Sequence, residues 1–430
     1  MKKVELTRSR GLRGEVVPPP DKSISHRAIL FASIAEGKSV VRNFLRAEDP
    51  LSTIKAMRML GIPIHAEETG EVTIEGKGLQ GFIEPFDVID CGNSGTTIRL
   101  ISGMLSGNPF LSILTGDDSL KQRPMARVIN PLKQMGALIT ARNADRYPPL
   151  AIKGTALKSI DYAMPMASAQ VKSCLILAGL YADGTTTITE PQKSRDHTER
   201  MLASMGADLK VQGLSVSIKG GSRLHAADVT VPADFSSAAF FMAGALMVPN
   251  SQVMIKDVGM NPTRTGLLKL LGYMGADVRL ENAREISGEP VADVVCSTTK
   301  RLKAVKIGSE IVPSLIDEFP ILCILATQAE GVTEIRDAQE LRVKESDRIK
   351  AMATELSKLG VDVREYPDGI DIRGTSELRG GIVDSYGDHR IAMSFSIAAL
   401  IAAQKITIND ASCVDISFPG FYAQLQDLEV

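Results

Sequence analysis

The 430-residue chain has no tryptophan, few aromatic residues and almost no net charge. A formal net charge of −2 gives it no general attraction for nucleic acid or an anionic membrane, so any anion must be bound by a local cluster of cations. The five cysteines are scattered, odd in number and form no C-x-x-C pair. This pattern argues against a disulfide framework and a zinc knuckle, and it favours a reducing compartment.

Long hydrophobic runs are also missing. The longest apolar stretch, 391–403, has 13 residues and contains serines, whereas a membrane-spanning helix needs about 20. The opening MKKVELTRSRGLRGEV lacks the apolar core of a signal peptide. The five histidines show no metal-ligand spacing. We therefore expect a soluble cytoplasmic protein with no membrane partner and no metal.

One pattern recurs six times along the chain: a small polar residue, an apolar helix of about three turns, a break and a β-branched strand. Its copies begin near Ser23, Ser94, Ser168, Ser236, Asp317 and Asp388, about 70 residues apart. Between them runs a second pattern, a helix that ends in glycine and leads into a strand, as in LKQMGALITA. A glycine there is typical of a helix C-terminus. FYAQLQDLEV, the sixth copy, lacks the glycine. The sequence thus predicts six α/β repeats.

The first helix of each repeat is apolar on nearly all sides, which predicts that it is buried in its domain. Such a helix meets solvent only at its ends, and its N-terminus offers unpaired N–H groups and a partial positive charge. If three repeats pack around each of two centres, the helices would direct their N-termini towards one cleft between two domains, where phosphates or carboxylates bind. Taken alone, each leading serine or aspartate is better explained as a simple helix N-cap.

Basic residues cluster at these predicted helix starts. They are Lys22, Arg27, Arg99, Lys172 and Arg390. A cation near a helix N-terminus is unfavourable unless an anion compensates it, so the repetition favours an anionic substrate with two or more charged groups.

Two further segments extend this cationic set. Arg123 precedes Pro124, which predicts an extended or turn conformation at a helix entrance. Lys344 and Arg348 stand four residues apart, which places them on one face of a predicted helix. An exposed helix with internal ion pairs would explain the second segment equally well.

Asp317 and Glu345 are the candidate catalytic carboxylates. Asp317 precedes an apolar helix and Glu345 is flanked by cations, and general acid–base chemistry needs two groups in different surroundings. A simple N-cap role for Asp317 fits the local sequence as well.

These motifs together resemble the 5-enolpyruvylshikimate-3-phosphate synthase family along the whole chain. The segments that carry the resemblance are DKSISHR (21–27), GNSGTTIR (92–99), QRPM (122–125), SAQVK (168–172), RVKESDR (342–348) and GDHRIAM (387–393). The resemblance implies a two-domain inside-out α/β barrel, the enolpyruvyl transferase fold, with six βαβαββ repeats, three in each domain.

The domain boundaries follow from the repeats and the resemblance. Residues 21–232 are expected to form an inserted domain, and residues 1–20 with 233–430 the C-terminal domain, completed by the N-terminal strand. Hinges are expected near 18–21 and 231–233, because Pro18, Pro19 and Pro20 make a short, stiff segment just before Lys22.

The resemblance also implies the reaction and the residues that serve it. The enolpyruvyl group of phosphoenolpyruvate passes to the 5-hydroxyl of shikimate 3-phosphate, phosphate is released, and no cofactor is needed. Asp317, Glu345 and Lys22 are the implied catalytic residues. Shikimate 3-phosphate would bind to Lys22, Ser23, Arg27, Ser168, Ala169, Gln170, Arg195, Asp317 and Lys344. Phosphoenolpyruvate would bind to Lys22, Gly95, Arg123, Gln170, Arg348 and Arg390. A monomer is expected.

Three points stay open at this stage. Gly95 suggests sensitivity to glyphosate, whereas SAQVK and RDHTE resemble the less sensitive class II enzymes. Ile416 stands where many family members have a lysine, so no lysine role carries over there. The alternatives are a UDP-N-acetylglucosamine enolpyruvyl transferase, which has Lys-Asn where this chain has Lys22-Ser23, and a non-catalytic anion-binding scaffold.

Overall fold

A computed structural model describes residues 3–375 and 377–430. The chain divides into two compact units. The inserted unit comprises residues 20–231 and 286–288, and the C-terminal unit comprises the described residues of 1–19, 232–285 and 289–430. Each unit has its own cluster of buried apolar side chains. The hinge role of the prolines stays a prediction.

The chain begins with two strands of the C-terminal unit, β1 (Val4–Leu6) and β2 (Arg13–Val16). The inserted unit follows. Its helices are α1 (Lys22–Ile34), α2 (Glu48–Met59), α3 (Gly95–Ser106), α4 (Ala126–Gln134), the short turn α5 (Arg142–Asp145), α6 (Ala169–Tyr181) and α7 (His197–Ser204). Its strands are β3 (Glu36–Arg42), β4 (Ile64–Ala66), β5 (Val72–Lys77), β6 (Ile89–Asp90), β7 (Leu111–Thr115), β8 (Leu138–Ala141), β9 (Tyr147–Lys153), β10 (Leu157–Lys158), β11 (Asp161–Ala163), β12 (Ala182–Asp183), β13 (Thr185–Thr189), β14 (Leu209–Gln212), β15 (Ser215–Lys219) and β16 (Val229–Thr230). A 3₁₀ helix covers Leu120–Gln122.

The remainder of the chain supplies the other elements of the C-terminal unit. Its helices are α8 (Phe235–Met247), α9 (Gly266–Tyr273), α10 (Val312–Leu315), α11 (Phe319–Thr327), α12 (Arg348–Lys358), α13 (His389–Ala399) and α14 (Phe421–Leu428). Its strands are β17 (Gln252–Gly259), β18 (Val278–Ile286), β19 (Glu289–Ser297), β20 (Leu302–Lys303), β21 (Lys306–Ile307), β22 (Ala329–Glu330), β23 (Val332–Ile335), β24 (Val363–Tyr366), β25 (Gly369–Arg373), β26 (Gly381–Asp384) and β27 (Ile406–Asn409). Two 3₁₀ helices cover Gln339–Val343 and Ala411–Ile416.

The six repeats appear as six small sheets, three in each unit. In the inserted unit the strand orders are β16-β3-β5-β4, β6-β7-β9-β8 and β11-β13-β15-β14. In the C-terminal unit they are β18-β19-β17-β2, β21-β23-β25-β24 and β1-β27-β26. In four of these sheets the strand before the buried helix pairs in parallel with the strand after it, as β6 does with β7. In five of the six sheets a following hairpin pairs antiparallel, as β9 does with β7 and β8. This confirms the mixed α/β repeats.

Three of the repeats are completed by strands from elsewhere in the sequence. β16 pairs in parallel with β3 and serves as the first strand of the first repeat, and β2 does the same for β17 in the fourth. β1 pairs antiparallel with β27 in the last repeat, which lacks its own hairpin. The missing glycine of FYAQLQDLEV reflects this, since α14 leads into no hairpin strand.

The predicted burial of the first helices is confirmed. All residues of α8 up to Leu246 are buried, and α1, α3, α6, α11 and α13 are buried along nearly their whole lengths. The glycines of the second pattern take the left-handed conformation expected of a helix C-terminus. These are Gly61, Gly136, Gly206, Gly275 and Gly360, with φ between 73° and 98°.

The exact helix starts differ from the sequence anchors in three of six cases. Ser94, Ser168 and Asp388 accept N–H groups of α3, α6 and α13, as N-caps do. Asp21 caps α1 in place of Ser23, and Asp234 caps α8 in place of Ser236. Asp317 is not a cap, because α11 begins at Phe319 and Glu318 occupies the cap position without a side-chain bond.

Candidate active-site residues in the two units

The start of α1 presents Lys22 in its first turn, where Asp21 accepts the N–H of Ile24 at 2.8 Å. The Lys22 ammonium lies 3.0 Å from the Asp49 carboxylate at the start of α2. Both side chains are largely buried, with 18% and 9% of their surface exposed. Asp49 compensates the cation at the positive end of α1, and sequence reasoning missed it because an acidic residue in a first turn is ordinary.

Arg27 lies one turn further along α1 and is almost completely buried. It donates to the Ser23 carbonyl at 3.0 Å, to the Ser173 hydroxyl of α6 at 3.0 Å and to the Thr198 hydroxyl of α7 at 2.8 Å. These contacts fix the orientation of the guanidinium between α1, α6 and α7.

Gly95, Arg99 and Gln170 connect the starts of α3 and α6. Arg99 donates to the Gln170 side-chain oxygen at 2.7 Å and to the Pro124 carbonyl at 3.2 Å. The Gln170 amide donates in turn to the Thr96 hydroxyl at 3.0 Å. A Cβ atom added at Gly95 would lie 2.7 Å from Arg99 Nη1, so the Arg99 guanidinium would have to shift to accommodate it.

Arg123 has the extended backbone that Pro124 predicted, with φ −81° and ψ 134°. Its guanidinium donates to the Asn93 carbonyl at 3.1 Å, to the Asn93 side chain at 2.6 Å and to the Ser119 hydroxyl at 3.1 Å. Asn93 is held by Asp117 at 2.7 Å. The loop before α3 therefore fixes Arg123 close to Gly95.

The start of α6 carries Ser168 as its N-cap, Ala169 as its first residue and Gln170 next to it. Lys172, one turn later, was expected to help bind an anion, and this prediction is wrong. Its side chain is fully buried, and its ammonium lies 2.8 Å from Glu190 and 2.7 Å from Glu199. Two carboxylates already neutralise Lys172, so its ion pairs have a structural role in the inserted unit.

Arg195 lies in the loop before α7, half-buried. Glu190 holds this loop, because it accepts the Ser194 hydroxyl while also contacting Lys172. The loop is thus tied to α6, whose first residues include Ser168 and Ala169.

In the C-terminal unit, Arg348 is the centre of a buried ion cluster. Its guanidinium lies 2.8 Å from Asp388, 2.8 Å from Glu345 and 3.5 Å from Asp317. Burial lowers the pKa of Arg348, but the surrounding carboxylates, Asp388 foremost, outweigh that effect and raise it. Arg348 is therefore a permanent cation with a fixed orientation.

Asp388 was predicted only as the start of a helix, and it has a second role here. Burial raises its pKa, but the attraction of Arg348 more than compensates, so the pKa lies below the usual value. The carboxylate accepts a hydrogen bond from Arg348 Nε at 2.8 Å and another from the backbone N–H of Arg390 at 2.9 Å.

Asp317 lies between two arginines. Its carboxylate is 3.5 Å from Arg348 Nη1 and 3.6 Å from Arg390 Nη2, and its carbonyl accepts from Arg390 Nη1 at 3.0 Å. The structure therefore brings Asp317, Glu345, Arg348 and Arg390 together, as a cluster of two cations and two partly exposed carboxylates around Asp388.

Lys344 is not on the face of α12, which corrects the prediction that it shares a helix face with Arg348. It has an extended backbone just after the 3₁₀ helix Gln339–Val343, because Asp347 caps α12 and starts it at Arg348. Its ammonium lies 3.0 Å from Glu340.

His26 and the other histidines do not form a metal site. Burial, with the nearby charges of Lys22 and Arg27, lowers the pKa of His26, and its ring contacts the Thr53 hydroxyl at 2.7 Å. Among residues 3–375 and 377–430 no group of three potential metal ligands occurs. Over the same residues, no helix is both long and apolar enough to span a membrane.

Comparison with solved structures first defines the class. The enolpyruvyl transferase NikO from Streptomyces tendae matches over 99% of this chain and 96% of its own, with a TM-score of 0.80 at 18% identity. At this identity the match establishes the fold alone. The fold is thus that of an enolpyruvyl transferase.

Closer relatives then define the family. The family described as EPSP synthase (3-phosphoshikimate 1-carboxyvinyltransferase) matches residues 6–425. The 3-phosphoshikimate 1-carboxyvinyltransferase of Thermodesulfovibrio yellowstonii is 54% identical over 425 residues, 99% of both chains. A structure of EPSP synthase from Acinetobacter baumannii matches with a TM-score of 0.88 and 46% identity, over 99% of this chain and 98% of that one. The chain belongs to the EPSP synthase family.

Proposed function

We propose that this enzyme transfers the enolpyruvyl group of phosphoenolpyruvate to the 5-hydroxyl of shikimate 3-phosphate and releases phosphate. The observation that carries the proposal is the position of Asp317 between Arg348 and Arg390, with Glu345 on the same arginine. Asp317 as a base and Glu345 as a candidate acid then lie beside arginines, which suit an anionic substrate. Family membership supplies the identity of the substrates.

Shikimate 3-phosphate is assigned to residues that offer cations and helix-start donors. In the inserted unit these are Ser23, Arg27, Ser168, the backbone of Ala169, Gln170 and Arg195, with Lys22 common to both substrates. Arg27 supports the assignment, because hydrogen bonds to Ser23, Ser173 and Thr198 hold its guanidinium at the start of α1. Lys344 and Asp317 of the C-terminal unit are assigned to the same substrate.

Phosphoenolpyruvate is assigned to Lys22, Gly95, Arg123 and Gln170 of the inserted unit and to Arg348 and Arg390 of the C-terminal unit. Guanidinium groups suit its carboxylate and phosphate, since they stay charged and donate two parallel hydrogen bonds. Gly95 supports the assignment through its closeness to two guanidinium groups, since the place of its missing Cβ lies 2.7 Å from Arg99 Nη1 and 3.4 Å from Arg123 Nη1.

The proposed chemistry is an addition followed by an elimination. The 5-hydroxyl oxygen forms a bond to C2 of phosphoenolpyruvate as Asp317 accepts its proton, and Glu345 or Lys22 gives a proton to C3. The C2–O bond to phosphate then breaks, C3 returns a proton to the acid as the double bond re-forms, and the proton held by Asp317 leaves with the phosphate. The two substrates account for every bond made and broken, so no redox partner or cofactor takes part.

Turnover in heavy water tests this sequence of steps. Addition places a solvent deuteron on C3 to give a methyl group, and elimination removes any one of its three hydrogens, so the recovered enolpyruvyl ether should contain deuterium in its methylene group. A product free of deuterium at every stage of turnover would contradict the addition step.

Phosphate release with each possible acceptor tests the function itself. With phosphoenolpyruvate and shikimate 3-phosphate, phosphate should appear in equal amount to the enolpyruvyl ether. Phosphate release only with UDP-N-acetylglucosamine would favour a UDP-N-acetylglucosamine enolpyruvyl transferase. No phosphate release with either acceptor would favour a non-catalytic binding scaffold. A cytoplasmic monomer is part of the proposal, and light scattering of the purified enzyme tests its oligomeric state.

A further inference from the structure

Glu318 is a buried carboxyl group directly beside Asp317 that the proposed reaction does not use. It is 1% exposed and stands immediately before α11, where its side chain caps no N–H group. A buried carboxyl with no role in the helix is costly unless other groups satisfy it.

Ser236 and Arg264 form a hydrogen-bonded chain with one carboxyl oxygen of Glu318. The Ser236 hydroxyl lies near the start of α8. It accepts a hydrogen bond from Arg264 Nη2 at 2.7 Å and donates a hydrogen bond to Glu318 Oε1. Ser236 and Arg264 are 3% and 2% exposed. This chain of three buried groups links the turns before α9 and α11 through the first turn of α8.

The other oxygen of Glu318 indicates its charge state. Oε2 is buried, and no hydrogen-bond partner for it occurs among the described residues. Burial raises the pKa of Glu318 and Asp317 raises it further, against the opposing effect of Arg264 and Arg390. A protonated acid tolerates such a site better than a carboxylate does.

We propose that Glu318 is a positioning residue for Asp317, because its buried bond to Ser236 fixes the peptide that follows Asp317 at the entrance of α11. The ion pairs of Asp317 with Arg348 and Arg390 then form against a fixed backbone. The raised pKa of Glu318 favours its neutral form, which limits the negative charge beside Asp317. The inference rests on the proposed function, since its readout is turnover.

Four variants test the role: Glu318→Gln, Glu318→Ala, Ser236→Ala and the control Ser237→Ala. Ser237 is the neighbouring buried serine, whose N–H group is held by Asp234. We expect Glu318→Ala and Ser236→Ala to lower kcat roughly tenfold or more, because a small displacement of a reacting group is costly, with smaller changes in both KM values. Glu318→Gln, neutral and able to accept from Ser236, should keep most of the activity, and Ser237→Ala should resemble the unmodified enzyme.

The pH profile adds a readout that a purely structural role would not move. As the pH rises through the raised pKa of Glu318, its ionisation would place a second carboxylate beside Asp317, so kcat of the unmodified enzyme should fall. Glutamine cannot ionise, and its variant should keep kcat to higher pH.

Three results would overturn the assignment. In one, Glu318→Ala and Ser236→Ala keep kcat and change only the melting temperature. In another, Glu318→Gln is as impaired as Glu318→Ala, which would mean that the charge is required. The third is an alkaline limb identical in the unmodified enzyme and Glu318→Gln. If Glu318→Ala does not fold, the kinetics of Glu318→Gln and Ser236→Ala decide whether Glu318 positions Asp317. Absence of turnover by the unmodified enzyme is a separate result, which overturns the proposed function itself.

Discussion

Asp317 shows at the scale of a single residue how a structural role and a catalytic role can be separated. It makes no cap bond to α11, and its carboxylate, 16% exposed, lies 3.5 Å from Arg348 and 3.6 Å from Arg390. Glu345 and Asp388 still neutralise the buried Arg348 when Asp317 is removed, so we expect the fold to lose little stability. Because two arginines lose a competing anion, the binding of phosphoenolpyruvate should not weaken.

We therefore expect Asp317→Ala to lower kcat by about 100-fold or more, the usual worth of a general base. KM for phosphoenolpyruvate should stay unchanged or fall, and the melting temperature should stay within a few degrees. Steady-state kinetics and calorimetry measure both, with exposed Asp415→Ala as the control. A variant that melts early but turns over normally would show that Asp317 is structural.

Gly95, the first residue of α3, has little space for a side chain. A methyl group there meets Arg99 Nη1 at 2.7 Å and Arg123 Nη1 at 3.4 Å, so one or both guanidinium groups must move. The family resemblance implies that glyphosate occupies the phosphoenolpyruvate site, so we expect Gly95→Ala to raise both the KM for phosphoenolpyruvate and the inhibition constant of glyphosate several-fold. Gly272→Ala on α9 is the matched control, because nothing lies within 4 Å of its added methyl. Equal inhibition of Gly95→Ala and the unmodified enzyme would contradict this.

At the scale of elements, α6 is tied to α7 and the intervening loop by buried charges. Lys172→Met would leave Glu190 and Glu199 buried without their cation, which typically costs about 3–5 kcal/mol. Denaturant unfolding should show this loss, whereas Lys133→Met, which removes a surface pair with Asp145, should cost less than about 1 kcal/mol. Equal stabilities of the two variants would contradict a structural role for Lys172.

The ion pair between α12 and α13 predicts a dependence of stability on pH. The pKa of Asp388 is lower in the folded protein than in the unfolded chain, so its contribution is fully present above the ordinary aspartate value of about 3.9 and is lost as pH falls through the folded value. Asp388→Asn can still cap α13 but removes this contribution. Its unfolding free energy, measured from pH 7 downwards, should fall less on acidification than that of the unmodified enzyme. An identical slope would contradict the assignment, and exposed Asp415→Asn serves as the control.

The sequence predicts elements well where the signal is local. Apolar stretches predicted the buried helices, and the glycines predicted where the following helices end, because both depend on neighbouring residues. Helix starts were predicted to within two residues, since Asp21 and Ser23 are both good caps. The sequence could not place Lys344, because either a helix or a 3₁₀ turn fits RVKESDR, and the Asp347 cap decides between them.

Partners distant in the sequence could not be predicted. Lys172 looks like its fellow cations until Glu190 and Glu199 are brought to it, and Glu318 looks like a surface residue until α8 covers it. The cations and carboxylates that come together around Arg348 were found by repetition and resemblance. Their ion pairs with Asp388 required the structure.

At the scale of the whole molecule, the six repeats explain how one chain of 430 residues carries so many helix starts with polar groups. Each repeat supplies one buried helix, and strands from distant parts of the sequence complete the first, fourth and last sheets. In the proposed function the residues assigned in the inserted unit are mainly cations and backbone donors, and those assigned in the C-terminal unit include the carboxylates Asp317 and Glu345.

A competition between acceptors tests the central claim most directly. The enzyme is given phosphoenolpyruvate with equal concentrations of shikimate 3-phosphate and UDP-N-acetylglucosamine, and the two possible enolpyruvyl ethers are quantified by mass spectrometry. We predict that the shikimate ether forms in equal amount to the phosphate released and that the sugar ether is absent. Formation of the sugar ether alone, or of neither product by folded enzyme, would contradict the account.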